Sequence, residues 1–232
     1  MISIGASAIG PNPAVVLPIG QNIVTLVVND GALDSLPDEV LVEVVLLSPR
    51  DLKIKAIDGL TPFESESSRT RKAISEINKS LAKGWLDDSH LEPKNGKKVF
   101  DSERKAVKEL MKVVKDEARG RDRVSDPALI TIIDAIDALV AADRLLAQIA
   151  LDDLAGIIAA DPDRQGKVDR ELAKGLEDLN KGDEQLADGK PDKAIDSYRK
   201  AWEHAVNAAK EAAKAPDGDD DFDDDSSDDD DD

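Results

Sequence analysis

The stretch of sequence that decides the fold is DPALITIIDAIDALVAADRLLAQIALDDLAGIIAA, residues 126–160. Asp126-Pro127 is typical of a helix start, because an acidic side chain can cap the first turn and proline fits within it. Apolar residues then cover most of the helical circumference and leave a polar strip of Asp134, Asp137, Arg144, Gln148 and Asp152. A helix that is apolar over so wide an arc is expected at the centre of a bundle. We therefore predict a central helix to about residue 160, with a kink or break near Gly156.

Four more helices are predicted around this one. The first starts at Thr61-Pro62-Phe63-Glu64 and ends near Gly84, and the second is capped by Asp101 and fades at Gly120. Asp161-Pro162 opens the fourth helix, and residues 194–213 form the fifth after a tight turn at residues 189–191, which makes the last two antiparallel neighbours. Helical spacing predicts their apolar stripes: Ile74, Ile77, Leu81; Val107, Leu110, Val114; Val168, Leu172, Leu176, Leu179, Leu186; and Ile195, Tyr198, Trp202, Ala205, Ala209.

Residues 14–47 have β character instead. The runs 22–28 and 40–47 are rich in β-branched residues, and Asn29-Asp30-Gly31 supplies turn chemistry between them. They predict a small antiparallel sheet, which is too short for a complete β-sandwich of about 100 residues. Such a partial sheet must pack on the helices, pair with a partner, or be incomplete; if another chain completes it, residues 22–28 or 40–47 offer the edge.

Two resemblances follow from these residues. The stretch LPIGQNIVTLVVNDG, residues 17–31, with SLPDEV at 35–40, resembles the C-terminal half of a PKD or cadherin-like repeat. The resemblance implies an extracellular β-sandwich that serves as a spacer or adhesive module. Residues 126–208 resemble the FIMAH-type helical module of bacterial secreted proteins, through ADRLLA at 142–147, GKPDKAI at 189–195 and YRKAWEH at 198–204. That family implies an accessory extracellular role and supplies no catalytic residue.

The helical hairpin at residues 175–206 also looks like a tetratricopeptide-style unit, through Gly182, the turn at 189–194, Tyr198 and Ala201. A groove for peptides needs about three such repeats. A plain helical hairpin within the bundle is therefore the preferred interpretation.

The negative charge is concentrated at the end of the chain. The formal net charge is -19, and residues 217–232 hold 12 aspartates and no basic residue, which leaves -7 for residues 1–216. We expect this tail to be disordered, because its charges repel one another. It is interpreted as a solubilising tail, as a weak and multivalent site for Ca²⁺, or as a segment that docks on basic residues. The candidate metal ligands are Asp219, Asp220, Asp221, Asp223, Asp224, Asp225, Asp228, Asp229 and Asp230.

Residues 94–123 are locally basic, with a net charge of +5. A stripe at helical spacing can meet phosphates, acidic polymers or the acidic tail, or it is simply a solvated face. Nucleic acid is not expected as a partner, because the chain is anionic and no aromatic residue interrupts the stripe. The stripe consists of Lys105, Lys108, Lys112, Lys115 and Arg119.

Reactive groups do not cluster in the sequence. The chain has no cysteine, no glycine-rich phosphate loop and no Gly-x-Ser-x-Gly motif. His90 and His204 have no second histidine at ligand spacing and are interpreted as surface residues. No apolar run is long enough to span a membrane. We therefore expect neither catalysis nor a cofactor, apart from weakly bound Ca²⁺.

The predicted fold is mainly α: a bundle of about five helices, preceded by a short, partial immunoglobulin-like antiparallel β segment and followed by a disordered acidic tail. The domain boundaries are 1–48 for the β segment, 49–60 for a linker, 61–214 for the bundle and 215–232 for the tail. We expect a non-catalytic structural or interaction module of a secreted or cell-surface bacterial protein, made as part of a longer exported precursor. Its partner is another protein or a surface polymer. Two alternatives are a calcium-binding or mineral-interacting accessory protein that acts through the tail, and the non-catalytic C-terminal region of a larger secreted enzyme.

Overall fold

The computed structural model describes residues 17, 19–121 and 123–216, which fall into two compact units that divide between Leu47 and Ser48. The first unit is a β-hairpin and the second is a helical bundle. The prediction of a mainly α fold with a small antiparallel sheet is confirmed. The acidic tail, residues 217–232, lies outside the described residues.

The hairpin consists of strands β1 (Gly20–Leu26) and β2 (Asp38–Val44). The strands pair antiparallel from Gly20 opposite Val44 to Leu26 opposite Asp38. In the connecting loop the Asp30 carboxylate accepts hydrogen bonds from the backbone N–H groups of Ala32 and Leu33, at 2.9 and 3.0 Å. Both predicted strands exist, but each begins two residues earlier than predicted and ends earlier as well.

The described residues of the bundle form six α-helices: α1 (Pro49–Leu60), α2 (Ser68–Ala82), α3 (Lys97–Glu117), α4 (Asp126–Asp152), α5 (Gln165–Ala187) and α6 (Pro191–Ala212). Two single-turn 3-10 helices, Thr61–Phe63 and Pro162–Arg164, precede α2 and α5. The bundle therefore has one α-helix more than the five that were predicted.

The extra helix is α1, and the prediction of a linker at residues 49–60 is wrong. Ser48 and Asp51 form a reciprocal capping box, and Pro49 occupies the first turn, so the segment carries strong helix-start signals. Its buried face is Lys53, Ala56 and Leu60, at spacings of three and four residues. The periodicity is hidden because a lysine stands where an apolar residue is expected.

Two predicted helix starts are also wrong. The Thr61-Pro62 signal opens only a 3-10 turn, and α2 begins at Ser68 after the Ser67 hydroxyl accepts from the Arg69 backbone N–H. Helix α3 begins at Lys97, four residues before the predicted cap Asp101. Its first turn is held by packing rather than by a capping side chain, because Val99 and Phe100 are fully buried.

Helix α4 is the central helix, as predicted. It contacts α1, α3, α5 and α6, and Ile132, Leu139 and Leu146 on it are almost fully buried. It ends at Asp152 rather than near residue 160, and Gly156 follows with a φ of +74°, a backbone conformation that favours glycine. Its cap is Ser125, whose hydroxyl accepts from the Ala128 backbone N–H.

Helices α5 and α6 form the predicted antiparallel hairpin and share the most extensive helix–helix contact in the bundle. Tyr198 on α6 is fully buried, and Gly182 on α5 leaves room for its ring. Two leucines of the predicted α5 stripe are not core residues, since Leu176 and Leu186 are 49% and 37% exposed. The closest approach to α6 is made instead by Gly175 and Gly182, which face Ala201 and Tyr198.

Candidate functional site

Three charged side chains meet in the centre of the bundle. The Lys53 Nζ of α1 donates to Glu103 Oε2 of α3 at 2.5 Å and to Asp143 Oδ1 of α4 at 2.9 Å. All three side chains are completely inaccessible to solvent. The Lys53 Nζ also lies 5.2 Å from the centroid of the Trp85 ring, a distance at which a cation is attracted to an aromatic face. We call these three residues the buried ionic cluster.

The cluster holds two acids and one base, so its protonation is set by competition. Burial raises the pKa of Asp143 well above its usual value, and repulsion from Glu103 raises it further against the attraction of Lys53. Burial alone would lower the pKa of Lys53, but the charges of Asp143 and Glu103 outweigh it and raise that pKa. Lys53 is therefore a cation, and Asp143 takes up a proton more readily than an ordinary aspartate.

Within the described residues, Glu103 Oε1 and Asp143 Oδ2 have no hydrogen-bond partner although both atoms are buried. An unsatisfied buried polar atom costs free energy, and a pair of buried charges must also overcome its desolvation. The cluster is therefore a poor source of net stability. It constrains the geometry, because Lys53 on α1 must reach a carboxyl group on α3 and another on α4 at the same time.

The sequence analysis did not predict the buried ionic cluster. The sequence does not reveal Lys53 as a core residue, because residues 49–60 are predicted to be a linker. The sequence held one usable signal: Asp143 is absent from the predicted polar strip of α4 and lies four residues from Leu139 and three from Leu146, both of which are buried. An acid on a buried helical face requires a buried partner, but the sequence alone could not identify Lys53 as that partner.

Part of the predicted basic stripe lines a second site on the surface. Lys105, Lys108 and Lys112 of α3 face Lys72 and Lys79 of α2 across a groove of about 390 Å³, which Ser75, Glu76 and Glu109 also line. We call this the basic groove. A hydrogen bond from Lys112 lowers the pKa of Glu109, and the charges of Lys72 and Arg69 act in the same direction. Lys115 and Arg119, the other two members of the predicted stripe, do not line the groove.

The helical geometry explains why the sequence showed only half of this groove. Helix α2 runs antiparallel beside α3, since Arg69 near its start pairs with Asp116 near the end of α3 at 3.2 Å. The lysines of α2 are thereby brought against those of α3, although 33 residues separate Lys72 from Lys105. Spacing along one helix predicts a stripe, whereas a groove requires knowledge of the neighbouring helix.

His90 lies at the rim of an apolar pocket of about 190 Å³, lined by residues that include Leu146, Leu154 and Trp202. Its Nδ1 lies 2.8 Å from Asp87 and its Nε2 lies 3.1 Å from Asp153. The hydrogen bond with Asp87 raises the pKa of His90, and the charges of Asp87 and Asp153 add to this effect. The side chain of His90 is 41% exposed, in agreement with the prediction of a surface histidine. The sequence did not predict that His90 bridges the 85–91 loop and the end of α4.

His204 is a quarter exposed and joins α6 to α5. Its Nδ1 lies 2.8 Å from Glu171 and its Nε2 lies 3.5 Å from Asp178. In the described part of the chain, no group of three or more histidine and acidic side chains is arranged to hold a metal ion. The aspartates predicted as calcium ligands, Asp219–Asp230, lie outside the described residues, so the calcium site stays a prediction.

The described helices include none that is long and apolar enough to cross a membrane. The buried ionic cluster, the basic groove and the His90 bridge are three of the charged features that the structure brings together. Comparison of the chain with protein-family models, with curated proteins and with solved structures gave no match.

Proposed function

We propose that this chain is a non-catalytic structural or interaction module of a secreted or cell-surface bacterial protein, and that the hairpin is its element of attachment. The observation that carries the proposal is the distribution of apolar side chains on the hairpin. One face carries Val24, Leu26, Val40, Val42 and Val44, because these positions alternate along each strand. Val24 lies directly opposite Val40 on this face, whereas the other face carries a single apolar pair, Ile23 opposite Leu41.

This face resembles the inner face of a β-sandwich. Leu26 and Val40 are 56% and 57% exposed. The other three valines of this face are half-buried. A two-stranded sheet is marginally stable by itself and gains stability when further strands cover its face or extend its edges. Residues 17–40 resemble the C-terminal half of a PKD or cadherin-like repeat. This resemblance also supports a β segment with an apolar face as the partner of the hairpin.

The bundle supports a structural role for the second unit. The buried ionic cluster is sealed from solvent, so its lysine and carboxyl groups cannot reach a substrate without unfolding the core. They hold three helices in one arrangement. The resemblance of residues 126–208 to a FIMAH-type module supports an accessory role outside the cell.

A photo-crosslinking experiment tests the proposal. A photoreactive benzoylphenylalanine is placed at Val42, on the apolar face, and at Glu43, on the opposite face, in protein made in the source organism. After irradiation, we expect a covalent adduct from position 42 with a β-strand segment of exported or surface polypeptide, identified by mass spectrometry. We expect little adduct from position 43, because its side chain points away from the apolar face.

Circular dichroism and the unfolding midpoint of both variants serve as controls for folding. Equal labelling from the two positions would show that the apolar face is not a specific attachment surface. Adducts confined to cytoplasmic proteins would contradict the proposed location.

A further inference from the structure

The basic groove is a positively charged site on a strongly acidic protein. Its five lysines and two glutamates give it a net charge of +3, whereas the chain as a whole carries -19. Glu76 and Glu109 form short ion pairs with Lys79 and Lys112, each within its own helix, and Glu109 also lies 3.8 Å from Arg69. Lys108 lies 3.7 Å from Asp192 of α6.

Two lysines of the groove are in no close ion pair, although the charge of one of them, Lys72, acts on Glu109. Lys72 and Lys105 are exposed and make no ion pair with an acidic side chain of the described residues. They lie on opposite walls of the groove, one on α2 and the other on α3. A carboxylate that entered the groove would approach both walls at once.

We propose that the basic groove is the docking site, within the same molecule, for the aspartate-rich segment 217–232. The segment contributes 12 carboxylates and no basic residue, which complements the charge of the groove. The inference is independent of the proposed function, since it concerns the bundle and the end of the chain and makes no use of the hairpin.

The segment is long enough to reach the groove. Arg104 of α3 pairs with Asp196 of α6 at 3.3 Å, which places the level of Lys105 beside residue 196. From there to the end of α6 at Ala212 is a helical rise of about 24 Å. The sixteen residues 217–232 extend to about 50 Å, so their second half reaches the lysines after the first half has spanned this distance.

The same charges favour this segment over an external polyanion. A free polyanion approaches a molecule whose net charge repels it, and salt screens its attraction to the lysines beyond about 10 Å. The covalently attached segment is present at an effective concentration on the order of millimolar, whatever the concentration of the protein. It therefore occupies the groove before a competing acidic ligand does.

Carbodiimide crosslinking tests the proposal, because this reagent joins a carboxylate to a lysine amine with which it is in contact. In the full chain at low salt, we expect the peptide 215–232 to be joined mainly to Lys72, Lys105 and Lys108. These products should fall roughly tenfold in 1 M NaCl, where the screening length is about 3 Å.

The chain provides a matched control in α5. Ala160 beside the start of α5 bonds to Ala212 at the end of α6, so Lys167 lies closer than the groove to the point where the segment leaves the bundle. A segment that moved at random would therefore react most with Lys167, Lys210 and Lys214. That pattern, in place of crosslinks to the groove, would overturn the proposal.

Lysine acetylation supplies a readout that does not depend on crosslinking. We expect Lys72 and Lys105 to be labelled roughly threefold more slowly in the full chain than in the 1–216 truncation, because the tethered segment shields them. The K72Q/K105Q variant should lose the crosslinks to the groove, whereas K167Q/K181Q should keep them. Unchanged acetylation after truncation would refute the docking.

A mixture of ¹⁵N-labelled and unlabelled chains tests whether the docking occurs within one molecule. We expect crosslinks to join peptides of the same label. Crosslinks between differently labelled peptides in the same number as those between equally labelled ones would refute docking within one molecule.

Discussion

Lys53 is the residue on which the geometry of the core depends. It is the only counter-charge within hydrogen-bond distance of Glu103 and Asp143 among the described residues, and both acids are fully buried. We expect K53M to lower the free energy of unfolding by about 3–5 kcal/mol, because it leaves two acids buried without a partner. Urea unfolding measures this change.

Replacement of the whole cluster is the control for K53M. We expect K53M/E103M/D143L to be more stable than K53M alone, because apolar side chains of similar volume remove the desolvation cost together with the charges. If the triple variant is no more stable than the single one, the loss in K53M comes from packing and not from the unpaired acids.

Asp143 gives the protein a specific dependence on pH. The pKa of Asp143 is raised in the folded protein above its unfolded value near 3.8. At a pH between the unfolded and the folded pKa, the folded state therefore holds a proton on Asp143 that the unfolded state has lost. Stability therefore falls as pH rises through this window and is regained as pH falls, the opposite of an ordinary ion-paired aspartate. We expect the urea midpoint of D143N to lack this component from pH 4 to 8. D137N, on an exposed residue of the same helix, should leave the profile unchanged; a D143N profile parallel to that of the unmodified protein would contradict the shift.

At the scale of single elements, Gly182 controls the packing of α5 against α6. A Cβ atom at this position would lie 2.3 Å from the Tyr198 ring, which is fully buried and donates its hydroxyl to Asp183 at 2.8 Å. We expect G182A to cost about 1–3 kcal/mol of stability through overpacking. G166A is the matched control on α5, because no atom lies within 4 Å of its added Cβ and alanine favours the helix. Equal thermal midpoints for the two variants would show that α6 moves aside without cost.

The 85–91 loop is joined to the end of α4 by His90. The pKa of His90 is raised above 6.5 by its hydrogen bond with Asp87 and by the charge of Asp153. The contribution of protonated His90 to the free energy of unfolding is therefore complete below pH 6.5, and it is lost as pH rises through the pKa of His90 in the folded protein. In an NMR titration we expect D87N to lower the pKa of His90 more than D153N does, while the His204 signal is unchanged. A His90 that titrates alike in the unmodified protein and in D87N would show that the bridge does not form in solution.

Helix signals that lie within a few residues of one another were readable from the sequence, and those that depend on distant partners were not. Pro127 and the apolar run after it predicted α4, and the 189–191 turn predicted the α5–α6 hairpin. Helix α1 was missed because Lys53 fills a core position that only Glu103 and Asp143 make suitable. The early start of α3 was missed because Gly96 is held close to Trp202, which is 106 residues away. Likewise, the walls of the basic groove come from two helices, and one helix's spacing showed only one wall.

At the scale of the whole molecule, the apolar core belongs to the bundle. Every member of the two clusters of buried apolar residues lies between Ala56 and Ala212, so none is contributed by the hairpin. The hairpin has two strands and exposed apolar residues, whereas α4 is covered by four other helices. The two units should therefore differ in the free energy of their opening.

Hydrogen exchange and a shortened chain test this difference. We expect the amides of 20–26 and 38–44 to exchange much faster than those of α4, which should exchange only through global unfolding. A chain of residues 47–216, which keeps the Ser48 cap of α1, should retain the helical circular dichroism and the urea midpoint of the full bundle, because it retains every core residue. Slow exchange of the hairpin amides, or a lower urea midpoint for the shortened chain, would contradict the expected difference between the two units.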